Sequence, residues 1–130
     1  MNVPFVCVFM AFALVYLSKL PVALAMARRP GGYDNHAPRD QQAALEGWGR
    51  RAVAAHLNGF EAFPPFAAAV IIASLAGGDP IWAARLAVVF VTARLLYVPL
   101  YLADYPTLRS AVWTVGFAAT VGLFLLPLAS

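Results

Sequence analysis

Cysteine and ionisable side chains are what this sequence has least of. A single cysteine, Cys7, among 130 residues excludes an intrachain disulfide and leaves no cysteine pair to hold a structural metal. Only 12% of the chain is charged against 62% hydrophobic, far from the balance of a soluble domain. Of the two histidines, His36 and His56, neither has a cysteine or a second histidine at ligand spacing, so no metal is expected and a structural hydrogen bond is the expected use of His56. Sustained apolar/polar alternation is absent as well, which excludes barrel strands. No phosphate-cradling glycine motif, nucleophile triad or haem motif is present.

What is present is four apolar blocks, about Val3–Ala27, Trp48–Ala76, Pro80–Ala103 and Ser110–Leu128. At about 1.5 Å per residue each can cross a hydrocarbon layer about 30 Å thick, and helices are the remaining way to satisfy backbone polar groups in lipid. The reading is therefore an all-α integral membrane four-helix bundle, one domain over residues 1–130. The "ALA" at 23–25 resembles a signal cleavage site. Against a leader stand the absence of Lys or Arg near Met1, the length of the apolar run, and Arg28-Arg29 placed after it like a stop-transfer flank.

Basic residues set an expected orientation. Arg28, Arg29, Arg39, Arg50 and Arg51 surround the first connection and Arg109 closes the third, whereas "AGGDP" holds only Asp79. The first and third connections are then cytoplasmic and both termini lie on the other side. This asymmetry accounts for the net charge of +3, and with no basic stripe carrying interleaved aromatics a nucleic-acid partner is not expected.

Within the spans, Arg51, Asn58 and Glu61 share one face of the second helix at about 100° per residue, and Arg94, Tyr97 and Tyr101 form a stripe on the third. The short turn at 77–80 makes these helices antiparallel neighbours. Positions whose numbers sum to about 155 then lie level, which matches Glu61 with Arg94, Asn58 with Tyr97 and Ala54 with Tyr101. An unpaired charge at that depth costs on the order of 2.5–3.5 kcal/mol on insertion scales, so a Glu61–Arg94 ion pair is expected. The pair either ties two helices together or belongs to a polar cavity, and the tyrosines and Asn58 favour a cavity open to the cytoplasm. Arg109 at its rim is either an interfacial anchor or a group that favours a ligand anion, with Ser110 beside it as a hydrogen-bond donor. Lys19 either snorkels or joins the cavity; Arg85 reads as an anchor at the opposite surface, and Asp34, His36 and Asp40 as solvated loop residues.

The stretches "AHLNGFEAFPPF" (55–66), "ARLLYVPLY" (93–101) and "LRS" (108–110), with the spacing of the four spans, resemble the MAPEG family, the membrane-associated proteins in eicosanoid and glutathione metabolism. The likeness runs over about Arg50–Val115 and is to the bacterial type of microsomal glutathione transferase, which implies an inner-membrane location. It implies a four-helix protomer in a homotrimer, with glutathione as co-substrate between neighbouring protomers near the cytoplasmic face. Carried over by position, Asn58, Glu61, Arg94, Tyr97 and Tyr101 match glutathione-contacting residues, and Arg109 the arginine that stabilises the thiolate. The chain departs from the family at Ala54, where an arginine is usual; Arg51, one turn earlier on the same face, is the nearest substitute.

Three functions follow from these observations. The first is a glutathione-dependent transferase or peroxidase acting on hydrophobic electrophiles or lipid hydroperoxides, with membrane lipid and a hydrophobic small molecule as its other partners. The second is a non-catalytic MAPEG-like protein that binds lipid or a partner. The third is a small proton-coupled exporter with Glu61 as carrier, which a level Arg94 would oppose by holding Glu61 ionised.

Overall fold

The computed structural model describes residues 2–130, and all the regular structure among them is helical. The helices are α1 (Val3–Leu17), α2 (Lys19–Ala27), α3 (Pro38–Ala43), α4 (Trp48–Leu75), α5 (Pro80–Leu102) and α6 (Pro106–Ala129). The pair α1–α2 makes one span and α4, α5 and α6 the other three, each long and apolar enough to cross a membrane. Large apolar side chains such as Phe9, Leu20, Ile81 and Phe117 face outward, as lipid requires.

The first span is broken at Ser18. Pro21 has no N–H for the carbonyl of Leu17 four residues earlier, so the ladder cannot continue unchanged. Ser18 closes α1 with its N–H on the Leu14 carbonyl at 2.9 Å. The break is clasped from α4 by His56, buried and with Nδ1 3.0 Å from the Val15 carbonyl and 2.8 Å from Ser18 Oγ. A carbonyl only accepts, so Nδ1 carries the proton; the Ser18 hydroxyl donates to the same Val15 carbonyl. This is the structural use expected of His56.

Close approach of helices supplies the rest of the packing, since lipid gives apolar faces little reason to leave it. A Cβ on Gly49 would sit 3.0 Å from Ala25 Cβ, so glycine is what lets α4 lie against α2 there. Toward the other surface Phe66 of α4 stacks on Phe90 of α5 at 3.8 Å and 7°, at the centre of an apolar cluster with Val70, Val91 and Leu123.

Both connections beyond the second span are tight. Asp79 starts α5 by accepting from the N–H groups of Ile81 and Trp82 at 2.9 and 3.0 Å. The fourth span starts at Pro106 rather than at Ser110, because proline fits a first helical turn whose N–H needs no partner. The connection before it shrinks to 103–105, with Asp104 in the left-handed region at φ 63°. The long first connection is ordered by Gln41, whose amide donates to the Gly32 carbonyl at 2.9 Å and accepts from the Asp34 N–H at 3.0 Å. Asp34 in turn accepts from the N–H groups of His36 and Ala37 at 3.0 Å each, so it shapes this loop rather than only being solvated.

Replacing His56 by alanine removes one of the two side-chain donors to the Val15 carbonyl at the break. A loss of about 0.5–1.5 kcal/mol is expected, read as a lower unfolding temperature in mild detergent. Melting of His56→Ala at the wild-type temperature would show that the clasp does not hold the first span to α4.

Candidate functional site

Asn58 and Arg94 face each other across α4 and α5. Arg94 Nη1 donates to Asn58 Oδ1 at 2.8 Å, and its guanidinium carbon lies 4.2 Å from the centre of the Tyr97 ring. Tyr97 meets Tyr101 edge to face at 5.7 Å and 77°. Arg109, at the end of the first turn of α6, stands 4.3 Å over the other tyrosine, Tyr101. The result is a column in which two arginines cap two tyrosines. Each aromatic face carries negative potential that attracts a guanidinium, and in a weakly polar setting that attraction is worth about 2 kcal/mol or more.

The expected Glu61–Arg94 ion pair is not formed. Glu61 is exposed, and Arg94 turns to Asn58 instead. Equal depth was the right part of that expectation, and azimuth overrode it. Three residues rotate a helix by about 300°, which sets Glu61 about 60° round from Asn58. Asn58 therefore looks at α5 while Glu61 looks outward, and the two charges share a cavity without touching.

Two adjoining cavities lie along this face. The one nearer α6's start measures 430 Å³ and is lined by Asn58, Tyr97, Arg109, Ser110, Trp113 and Thr114. The deeper one measures 240 Å³, with Asn58, Glu61 and Arg94 on one side and Pro65, Phe90 and Phe117 among its apolar walls. Pro65 has no N–H for the Glu61 carbonyl four residues earlier, so α4 lacks that rung of its ladder beside the cavity. The interruption by Asn58, Glu61 and Pro65 thus coincides with a polar recess beside α4.

Not every sequence-predicted residue joins this cleft. Arg51 donates from Nε at 3.3 Å and from Nη2 at 3.2 Å to the Leu102 carbonyl, one of the unpaired acceptors at the end of α5. Lys19 lies at the start of α2 and lines neither cavity. Arg85 stacks over Trp82 at 5.0 Å near the opposite surface, as an anchor would. No cluster of metal-ligating side chains occurs among the described residues. Sequence reasoning missed Trp113 and Thr114, although each follows a chosen residue, Arg109 and Ser110, by one helical turn and so shares its face. The Thr114 hydroxyl donates to the Ser110 carbonyl at 2.8 Å.

Fold and cleft together define a polytopic helical membrane protein with a cationic, tyrosine-lined recess between its last three spans. The chain belongs to the MAPEG family, whose sequence profile it matches over residues 3–129. That family comprises membrane proteins of eicosanoid and glutathione metabolism. No match to the chain was found among curated proteins or among solved structures.

The Arg94–Asn58 contact generates a direct test. Asn58→Leu removes the partner of a buried guanidinium, and a loss of about 1.5–3 kcal/mol is expected; Glu61→Gln, which breaks no contact within the chain, should leave the stability of the single chain nearly unchanged. Thermal unfolding of both variants in detergent checks this. A larger effect from Glu61→Gln would mean that Glu61 is engaged by something outside its own protomer.

Proposed function

We propose that this protein is a glutathione-dependent transferase or peroxidase of the membrane, acting on hydrophobic electrophiles or lipid hydroperoxides. The observation that carries the reading is the convergence of Arg109, Ser110, Tyr97 and Asn58 on one 430 Å³ cavity. Such a volume falls within the range of about 300–1,000 Å³ usual for small-molecule sites. In this reading glutathione occupies that cavity as co-substrate and reaches Arg94 and Glu61 in the adjoining one, with Tyr101 behind Arg109. No metal is required.

Arg109 acts on the thiol. A guanidinium beside the sulfur favours thiolate over thiol, and each unit by which the thiol pKa falls needs about 1.36 kcal/mol of that preference. Ser110 donates a hydrogen bond to the same sulfur. The thiolate attacks an electrophilic carbon, forming a C–S bond; where the carbon bears a halide, the C–halogen bond breaks and halide departs with the electron pair. With a hydroperoxide the sulfur takes the terminal hydroxyl as the O–O bond breaks, and the alkoxide collects a proton to become an alcohol. A second glutathione then forms the disulfide and releases water.

The exposure of Glu61 in mid-span bears on assembly. A carboxylate at that depth needs a polar neighbour rather than lipid, and a homotrimer with Glu61 near the subunit boundary supplies one. Native mass spectrometry tests this, and a dominant monomer or dimer in mild detergent would count against it. The arginine-rich first connection and Arg109 favour a cytoplasmic mouth for the cleft, in a bacterial inner membrane.

One observation favours the second reading, a MAPEG-like protein that binds without chemistry. Arg51 is spoken for by the Leu102 carbonyl, and Ala54 has no charge to offer a glutathione carboxylate. The exporter has less support, because the cationic Arg94 lines the same cavity as Glu61.

Adding glutathione at neutral pH should produce thiolate absorbance in the near ultraviolet, since the bound thiol titrates below the free value of about 8.5. Arg109→Ala should raise that titration and lower kcat/KM for a model electrophile about tenfold for each unit of pKa lost, with binding largely kept. Glutathione that binds without thiolate formation at any pH below its free titration would replace the transferase by the binding protein. Ala54→Arg should tighten glutathione binding, and no change would point to another ligand.

A further inference from the structure

A third, much smaller space lies where α1, α4 and α5 meet. It measures about 20 Å³, and around it stand Leu14, Val15 and Ser18 at the break of the first span, Ala55 and Gly59 of α4, and Arg94 of α5. None of the residues lining it is exposed. Arg94 and Phe90 also line the deeper cavity of the cleft, so Arg94 stands between the two spaces, with α6 on one side of it and α1 on the other.

Two polar groups on this wall have bonding capacity that the chain itself does not use. Among the described residues Arg94 makes one hydrogen bond, from Nη1 to Asn58, whereas a guanidinium carries five N–H donors. One of its faces is taken by the Tyr97 ring. Only 9% of Arg94 is exposed, buried donors are as a rule paired, and lipid offers them no acceptor. The Ser18 hydroxyl donates to the Val15 carbonyl and accepts from His56 Nδ1. A hydroxyl oxygen has two lone pairs, so one is left for a further donor.

We propose that this cavity is the binding site of one ordered water molecule, which accepts from a guanidinium N–H of Arg94 and donates to Ser18 Oγ, joining the broken first span to the cationic column of the cleft. A buried water needs about 10–15 Å³ and two to four polar partners, so the 20 Å³ here admits one. Size excludes a larger guest. A cavity of about 150 Å³ is needed for a molecule as small as benzene. With Asn58 and the water accepting and Tyr97 against its face, the guanidinium is held on three sides, and the first span takes part in setting its position. The inference does not depend on what the cleft binds.

Gly59 provides the test. A Cβ there would find Val15 Cγ2 as its nearest neighbour at 3.5 Å, an ordinary contact, so packing against α1 does not demand glycine. The methyl of Gly59→Ala enters the space that the water needs. In a dry cavity alanine fills a void and improves the helix, and Tm rises. In a hydrated one it expels the water and strands Arg94 and Ser18, and Tm falls by about 4 °C or more, the scale on which one buried hydrogen bond registers. Gly59→Ser separates this from crowding, because serine is close to alanine in size and a poorer helix former, yet its hydroxyl stands in for the water. The expected order of Tm in mild detergent is wild type, then Gly59→Ser, then Gly59→Ala. Gly59→Ala melting above wild type, or above Gly59→Ser, overturns the inference.

A second measurement reads the water directly, by nuclear magnetic resonance of the full chain in lipid nanodiscs with isotope-labelled arginine. The Arg94 guanidinium N–H signal, assigned by its loss in Arg94→Lys, should show cross-relaxation with a long-lived water in wild type, and that cross-relaxation should disappear in Gly59→Ala. A wild-type signal without it overturns the inference whatever the melting order. So does cross-relaxation that Gly59→Ala leaves intact, which would place the water on the cleft side of Arg94.

Discussion

The hydrogen bond from Arg94 to Asn58 is the contact on which the arrangement of the last three spans depends. A guanidinium buried at that depth in a membrane protein must find its acceptors in the protein, because lipid has none to give. Asn58 supplies the acceptor and Tyr97 a ring face, and satisfying Arg94 in this way fixes how α4 is turned toward α5. Once α4 is turned so, Glu61 has to face outward and Pro65 has to line the deeper cavity. Tyr101 and Arg109 extend the same polar column to the start of α6.

A similar rule operates on the other side of α4. Pro21 breaks the first span, and the resulting need for donors and acceptors at Val15 and Ser18 is met by His56. Asn58 and His56 lie about 200° apart around the helix, so α4 is held by polar contacts on two opposing faces while its remaining surface is apolar. Arg51 closes the end of α5 through the Leu102 carbonyl in the same manner. Polar residues in this bundle are therefore of two kinds: those consumed in satisfying backbone breaks and helix ends, and those that meet at the cleft. Only the second kind is available to a ligand.

The distinction bears on how the cleft divides its work. Its upper part gathers cationic and hydroxyl groups where an anionic, water-soluble molecule can enter from the rim. Its lower part sets the charges of Glu61 and Arg94 against the rings of Phe90, Trp113 and Phe117. Asn58 and Trp113 line both parts and so form the boundary between them.

The helical class and the four spans were legible in the sequence because they follow from local chemistry: runs of apolar residues of bilayer length, without alternation, leave one way to satisfy the backbone. The stripes carrying Asn58, Arg94, Tyr97, Tyr101 and Arg109 were legible too, since helical periodicity puts residues three and four apart on one face. Which members of those stripes touch was not. Level depth pointed to Glu61 as the partner of Arg94, and the difference of about 60° in azimuth that favours Asn58 depends on how α4 is rotated against α5. That rotation is set by contacts far apart in the chain, including His56 on Ser18 and the close approach of Gly49 to Ala25. The use of Arg51 as a cap and the placing of Trp113 between two cavities were likewise decided only when three helices met, because a side chain's partner across a bundle is a property of packing and not of its neighbours in sequence.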